Sequence, residues 1–183
     1  RIAGDGKAGG ELEVHGPSVM LGYWKNEPAT RDCMTEDGWF KTGDNVRIEG
    51  GHIYIVGRSK EVIVLSNGEK APPDDMEKAI SLDPWFTQAV VLGDNRPHLS
   101  AIVVLSQAAQ KAGVSGADEA SREIILRRID ASLHDFPGYA KIKGVLVADE
   151  PWTAENGLLT SSLKKRRALI FERYDEQINR LYD

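Results

Sequence analysis

Few residues of this sequence announce chemistry by type alone. It holds one cysteine, Cys33, and four histidines, at 15, 52, 98 and 134, scattered without metal-ligand spacing. Gly4-Asp-Gly-Lys-Ala-Gly9 fits the pattern G-x-G-x-x-G. A dinucleotide fingerprint needs a strand before that pattern and a helix after it, so that the helix N-terminus meets the pyrophosphate. Here no strand precedes and a strand follows, so a plain turn is expected. No Walker P-loop, H-E-x-x-H, G-x-S-x-G or C-x-x-C occurs. The basic run Lys164-Lys-Arg-Arg167 would, on its own, be a solvated face at a helix start. Asn67-Gly68 is a short hairpin signal. Trp24, Trp39, Trp85 and Trp152 are too widely spaced for an aromatic cage and suit separate packing roles. Cys33 is expected to be a small packed residue.

Composition narrows the classes. Twenty-three basic and 28 acidic residues give a formal net charge of −5, which argues against a general nucleic-acid binder. A hydrophobic fraction of 41% over 183 residues can form one large core or two small ones, and excludes collagen, coiled coil and global disorder. No apolar run approaches the ~20 residues of a membrane span. A single cysteine excludes a disulfide framework and fits a reducing compartment. The sequence opens on Arg1-Ile-Ala-Gly, and the chain is expected to be a piece of a longer protein.

The elements that must position any site follow from periodicity. Glu11–His15 alternates polar and apolar, as a half-buried strand does. Asn26 can cap a short helix with Pro28 in its first turn. Residues 39–42 and 45–48 read as strands around a Gly43-Asp44 turn, and Gly50-Gly51 turns into a strand over 52–56, giving an antiparallel meander. After Gly57 the pattern changes. Strands are expected at 61–65, 88–92, 99–105 and 145–148, with helices at 73–82, 118–134 and 164–181. Ile124, Ile125, Ile129 and Leu133 should lie on or near one face of the middle helix, and the last helix should be amphipathic through Leu169, Ile170, Tyr174, Ile178 and Leu181. The fold class is therefore α+β: a β-rich segment over 1–57, then helices covering a small mixed sheet over 58–183.

Three segments in order carry more than their separate parts: Gly38-Trp-Phe-Lys-Thr-Gly-Asp44, Val56-Gly-Arg-Ser-Lys60 running through Ser66-Asn-Gly-Glu-Lys70 to Glu77, and Glu155-Asn-Gly-Leu-Leu-Thr-Ser-Ser-Leu-Lys164. With Gly10–Trp24 upstream, they resemble the C-terminal third of adenylate-forming enzymes, the acyl-CoA synthetase, luciferase and peptide-synthetase superfamily, and most of all long-chain fatty acid–CoA ligases. The resemblance implies that 1–57 is the β-rich tail of a large AMP-binding domain and 58–183 the small mobile C-terminal domain. It implies ATP, with AMP as product, Mg²⁺ held by ligands outside this chain, and coenzyme A. The partners it implies are a fatty acid and CoA as substrates, together with the large N-terminal domain that holds the acyl pocket and phosphate loop. Without that domain the chain alone should be inactive, and residues 1–57, deprived of sheet neighbours, should fray or repack.

The resemblance also assigns residues. Asp44 matches the ribose-binding aspartate; a carboxylate can accept hydrogen bonds from two neighbouring hydroxyls at once. Arg58 matches the arginine on the ribose and phosphate side of the nucleotide, where a guanidinium offers permanent charge and several donors. Lys60 falls at the hinge, where backbone torsions must change. Ser66, Asn67, Gly68, Glu69 and Lys70 match the loop brought up for thioester formation, Gly68 permitting close approach of the pantetheine arm. Lys164 matches the catalytic lysine, an ammonium that stabilises charge building on the α-phosphate during carboxylate attack; Lys165 is the alternative bearer of that role. Pro73 and Glu77 match a helix start and read as mainly structural. Two departures stand out: Ser161 where long-chain members have proline, and the doubled Pro72-Pro73.

The expected function is thus the C-terminal part of a long-chain fatty acid–CoA ligase, in the cytoplasm; the resemblance allows peripheral membrane association of the longer protein, and nothing in this sequence points to it. One rival is a fatty acyl-AMP ligase or peptide-synthetase adenylation domain serving a carrier protein. The stretch 136–143 and the Gly157-Leu-Leu-Thr160 form of the last motif favour the CoA ligase. Another rival, of a different class, is a non-enzymatic domain keeping the fold for binding or regulation; Asp44, Arg58 and Lys164 argue against it.

Overall fold

A computed structural model describes residues 1–3, 10–58, 62–116 and 118–183, with backbone only at 56–58. The chain packs as two compact units, residues 1–62 and 63–183, a division five residues beyond the 57/58 boundary that periodicity predicts. The turn expected at residues 4–9 lies outside the described residues, as does Lys60.

The first unit is the meander. Strands β1 (Gly10–Val14), β2 (Phe40–Glu49) and β3 (His52–Arg58) pair antiparallel in that order. Helix α1 (Glu27–Cys33) sits between β1 and β2, with the Asn26 side chain accepting from the Ala29 N–H as the predicted cap. The break expected at Gly43-Asp44 does not occur: β2 runs unbroken through it. Gly43 takes φ +78° inside the strand, a torsion open to glycine, so the ladder bends without ending. Ile53 and Ile55 are exposed on β3.

The second unit holds a two-stranded hairpin and a three-stranded mixed sheet. The hairpin pairs β4 (Ile63–Val64) with β5 (Lys70–Ala71). In the sheet, central β7 (Leu99–Leu105) is antiparallel to β6 (Phe86–Leu92) and parallel to β8 (Ile142–Val147). All seven residues of β7 are buried, which its unbroken apolar run already implied. Side chains alternate between the two faces. One face sends Ala89, Val91, Ala101 and Val103 into a core with α2 (Pro73–Ser81) and α4 (Glu119–Ser132). The other sends Val90, Leu92, Ile102 and Val104 against Trp152 and the C-terminal helices.

Three helical expectations need correction. Ile124 is exposed, because the buried face of α4 runs through Ile125, Ile129 and, just beyond its end, Leu133. A short helix, α3 (Gln107–Lys111), was not foreseen between β7 and α4. The single helix expected over 164–181 is two, α5 (Arg167–Arg173) and α6 (Asp175–Arg180). They part at Tyr174, whose φ of −108° and ψ of 17° leave the helical region. Ile170, Tyr174 and Ile178 all reach the core, as the amphipathic pattern predicts, while Leu169 stays partly exposed.

Candidate functional site

In the first unit, Asp44 lies within β2, with its Cα opposite that of Arg58. The approach to it is fixed by small polar groups. The Thr42 hydroxyl donates to the Leu12 carbonyl at 2.8 Å and accepts from the Asp44 N–H at 3.1 Å, while the Gly43 N–H donates to Glu11 Oε1 at 3.0 Å. Between Asn45 and Val46 the register slips: Asn45 faces Gly57 and Val46 faces Ile55, so Val56 is the extra residue of a bulge. Bulges re-aim side chains, and this one sits next to the Asp44–Arg58 pairing.

In the second unit, the Ser66–Lys70 segment comprises the turn between β4 and β5 and Lys70, the first residue of β5. The Leu65 N–H donates to the Glu69 carbonyl and the Gly68 N–H to the Leu65 carbonyl. Asn67 folds over the turn: its Oδ1 accepts from the Glu69 N–H at 3.1 Å and its Nδ2 donates to Glu69 Oε2 at 2.8 Å. The Ser66 N–H is anchored to the Arg96 carbonyl. Gly68 has φ +86°, and a Cβ added there would meet no atom within 4 Å. Its backbone therefore faces open space.

The same unit carries Lys164, in a tight loop ahead of α5 and not in a helix as expected. The loop closes on itself. Leu159 and Lys165 form an isolated antiparallel bridge, the Thr160 N–H donates to the Lys164 carbonyl at 2.8 Å, and the Lys164 N–H donates to Thr160 Oγ1 at 3.0 Å. Ser161 and Ser162 occupy the tip, and Leu163 takes φ +60°, a left-handed torsion uncommon for a γ-branched side chain. Upstream, Asn156 Oδ1 accepts from the Thr153 and Leu158 N–H groups and holds the entry to the loop.

At the exit, neighbouring side chains take opposite directions, as extended backbone dictates. Lys165 turns inward: its Nζ donates to Glu77 Oε2 at 2.5 Å and to the Ala89 carbonyl at 2.6 Å. Lys164 is exposed, and its ammonium has no hydrogen-bond or acidic partner among the described residues. Glu77, only 2% exposed, also accepts from both terminal nitrogens of Arg167 and from the Val91 N–H. Arg167 reaches Asp74 as well. Burial pulls the Arg167 guanidinium down, but hydrogen bonds and charge from Glu77, then from Asp74, outweigh it and hold the group above its ordinary value. Glu77 is thus more than a helix-start residue: it joins α2, β6 and the Lys164 loop. The sequence carried one signal of this, an acid facing the core of an amphipathic helix, which must find a cationic partner.

Asp44 and Arg58 thus belong to one unit, and the 66–70 turn and Lys164 to the other. The Arg58 side chain lies outside the description. Among the described residues, no group of three or more His, Cys, Asp or Glu side chains could hold a metal ion.

Comparison with known proteins bears on these residues. The family model for the AMP-binding enzyme C-terminal domain matches residues 60–183. A long-chain-fatty-acid–[acyl-carrier-protein] ligase of Arabidopsis thaliana is 34% identical, over 94% of this chain and 25% of its own length. A long-chain-fatty-acid–CoA ligase of Mycobacterium tuberculosis is also 34% identical, over 100% of this chain and 32% of its own length. Among solved structures, the A domain of a carboxylic acid reductase from Segniliparus rugosus, in complex with AMP and a co-purified carboxylic acid, superposes with a TM-score of 0.87 at 29% identity, over 95% of this chain and 28% of that one. The chain spans about a quarter to a third of the length of these curated relatives.

Proposed function

The chain belongs to the family of AMP-binding enzyme C-terminal domains, and on that premise we propose that it is the C-terminal part of a long-chain fatty acid–CoA ligase. In the first half-reaction a carboxylate oxygen of the fatty acid attacks the α-phosphorus of ATP. The bond to pyrophosphate breaks and acyl-AMP forms. In the second, the thiol of coenzyme A gives up its proton, its sulfur attacks the acyl carbon, and AMP leaves. The Lys164 ammonium stabilises the charge that grows on the α-phosphate oxygens in the first step. Asp44 and Arg58 hold the nucleotide, Asp44 accepting from the ribose hydroxyls. The 66–70 turn serves the second step, the open backbone at Gly68 leaving room for the pantetheine arm. The described residues offer no cluster fit to hold Mg²⁺, whose ligands would come from the large N-terminal domain.

The observation that carries this reading is the contrast between two neighbouring lysines. Lys165 is consumed by Glu77 and the Ala89 carbonyl, whereas Lys164 leaves a rigid loop with its charge unspent. An exposed, unpaired lysine is common on a surface; here the motif match and the hydrogen-bonded loop single out Lys164, and Lys165, paired to Glu77, is not free for that role. The chemistry is tested by fatty-acid-dependent ATP–pyrophosphate exchange in the complete enzyme. Lys164→Ala should lower exchange by about 10²–10³, and Lys164→Ala exchange equal to wild type would refute the role.

A second reading differs only in the acceptor: the acyl group passes to a carrier protein. It stands beside the first because the acyl-carrier-protein ligase and the CoA ligase are equally identical to this chain. Supplying preformed acyl-AMP with CoA or with a phosphopantetheinylated carrier protein separates the two by which thioester accumulates.

A further inference from the structure

We infer that Glu77 is a positioning residue for adenylation: through Lys165 and Arg167 it locks the loop that presents Lys164. The inference rests on the catalytic reading of Lys164 given above, and it adds a residue distant in sequence from the motif that carries that lysine.

The geometry is that of a clamp. Glu77 stands on α2, one turn past its start, with both carboxylate oxygens used from two directions. Oε1 takes the Val91 N–H at 2.7 Å and Arg167 Nη1 at 2.6 Å; Oε2 takes Lys165 Nζ and, at 3.1 Å, Arg167 Nη2. Lys165 and Arg167 flank Arg166 immediately after Lys164. The Arg166 backbone N–H bonds the Leu158 carbonyl, so the return strand is fixed at every residue from 164 to 167. On the other side the loop is closed by the Leu159–Lys165 bridge and the two Thr160 contacts. Between Leu158 and Arg167 the one residue with a positive φ is Leu163, directly before Lys164, in a side chain that is 72% exposed. Burial of Leu163 does not enforce that torsion; the hydrogen bonds on either side of it do. Glu77 anchors the downstream set.

A buried carboxylate between two cations is weak evidence for stability in itself, since desolvation offsets much of the attraction. What such a group supplies is position. Lys164 must place a compact charge against a phosphate oxygen to within a fraction of an ångström, and its long side chain cannot do so unless its backbone is fixed. The clamp also sets which of the two lysines is free. With Glu77 ionised, Lys165 is held inward and the alternation of extended backbone turns Lys164 outward. Without that charge, either ammonium can face solvent and the loop loses its handedness.

The experiment compares Glu77→Gln, Lys165→Met and Lys164→Ala in the complete enzyme, measuring two rates for each. One is ATP–pyrophosphate exchange with a long-chain fatty acid, the other thioester formation from preformed acyl-AMP and CoA. Glu77→Gln should lower exchange by about 10- to 100-fold through kcat, with the KM for ATP nearly unchanged and thioester formation within about twofold of wild type. Lys165→Met, whose lysine is partly exposed and so is removed at less cost to folding, should move exchange the same way, and Lys165→Arg should recover part of it. Equal losses in both half-reactions would mean a merely structural role and would overturn the inference, as would exchange at the wild-type rate in Glu77→Gln and Lys165→Met. If Lys164→Ala itself retains exchange, the catalytic reading fails; if it loses exchange while the other two keep it, only the clamp fails.

Discussion

Asp44 and Arg58 face each other across the β2–β3 ladder, fourteen positions apart in sequence and directly paired in register. Periodicity places a boundary between them, because after Gly57 the meander gives way to strands alternating with helices. The ladder instead carries β3 to Arg58, and both residues assigned to the nucleotide fall in the unit spanning 1–62. A pair seated on one sheet keeps its spacing whatever the second unit does. On the proposed roles, ground-state binding of the nucleotide would reside with this pair, and transition-state charge stabilisation with Lys164.

That division predicts a kinetic signature. Asp44→Ala in the complete enzyme should raise the KM for ATP by about 10- to 100-fold, the worth of one or two hydrogen bonds to a charged acceptor. Its effect on kcat should be far smaller than that of Lys164→Ala. Initial-rate exchange measured against ATP concentration checks this. A fall in kcat at unchanged KM would move Asp44 out of ribose binding.

What could be read from the sequence was whatever depends on period and punctuation. The seven-residue run of β7 gives its own length, Asn26 gives the α1 cap, and Asn67-Gly68 gives the hairpin. What could not be read depends on partners distant in the chain. Lys164–Arg167 reads as a basic helix start because nothing local distinguishes four cations in a row. In the fold, Glu77 and Asp74 take Lys165 and Arg167, about 90 positions away, and Lys164 is left in a loop. Gly43-Asp44 reads as a turn because glycine before aspartate usually is one; β1 and β3 on either side of β2 hold it extended.

Helix α4 offers a pH-dependent probe of the second unit. The Asp118 carboxylate caps it, accepting from the Ser121 hydroxyl at 2.7 Å and the Ser121 N–H at 2.8 Å. These bonds, the hydroxyl first and then the backbone, hold the Asp118 carboxyl below its ordinary value. A group with a lowered folded-state value contributes its full share above the unfolded value, near 3.9, and loses it as pH falls through the folded one. Asp118→Asn keeps an acceptor for the cap and removes the titration. The variant should therefore melt below wild type at pH 6, and the gap should narrow as the pH is lowered from about 5 towards 3. Thermal melts across that range decide it; a gap that widens on acidification would show the opposite linkage.

The second core contains a polar atom whose removal should help. Tyr174 is 1% exposed, packed with Trp152, Ile170 and Ile178, and its hydroxyl has no hydrogen-bond partner among the described residues. A buried hydroxyl without a partner gives up its bonds to water for nothing, a loss of about 1–3 kcal/mol. Tyr174→Phe removes the oxygen and keeps the ring, so the packing at this residue is preserved. It should raise the melting midpoint by about 2–4 °C for each kcal/mol recovered. Tyr174→Ala, which empties the site, should instead cost about 3–5 kcal/mol, in the range of large aromatic truncations. The Trp152 Nε1 is unpaired in the same way, yet Trp152→Phe should not help, because the smaller ring leaves a void beside Leu158 and Leu159. Its backbone is in any case fixed by Gln88, which bonds both the Trp152 N–H and its carbonyl. The three variants separate the cost of an orphaned polar atom from the worth of the ring that carries it. A lower midpoint for Tyr174→Phe would show that the hydroxyl is satisfied in solution.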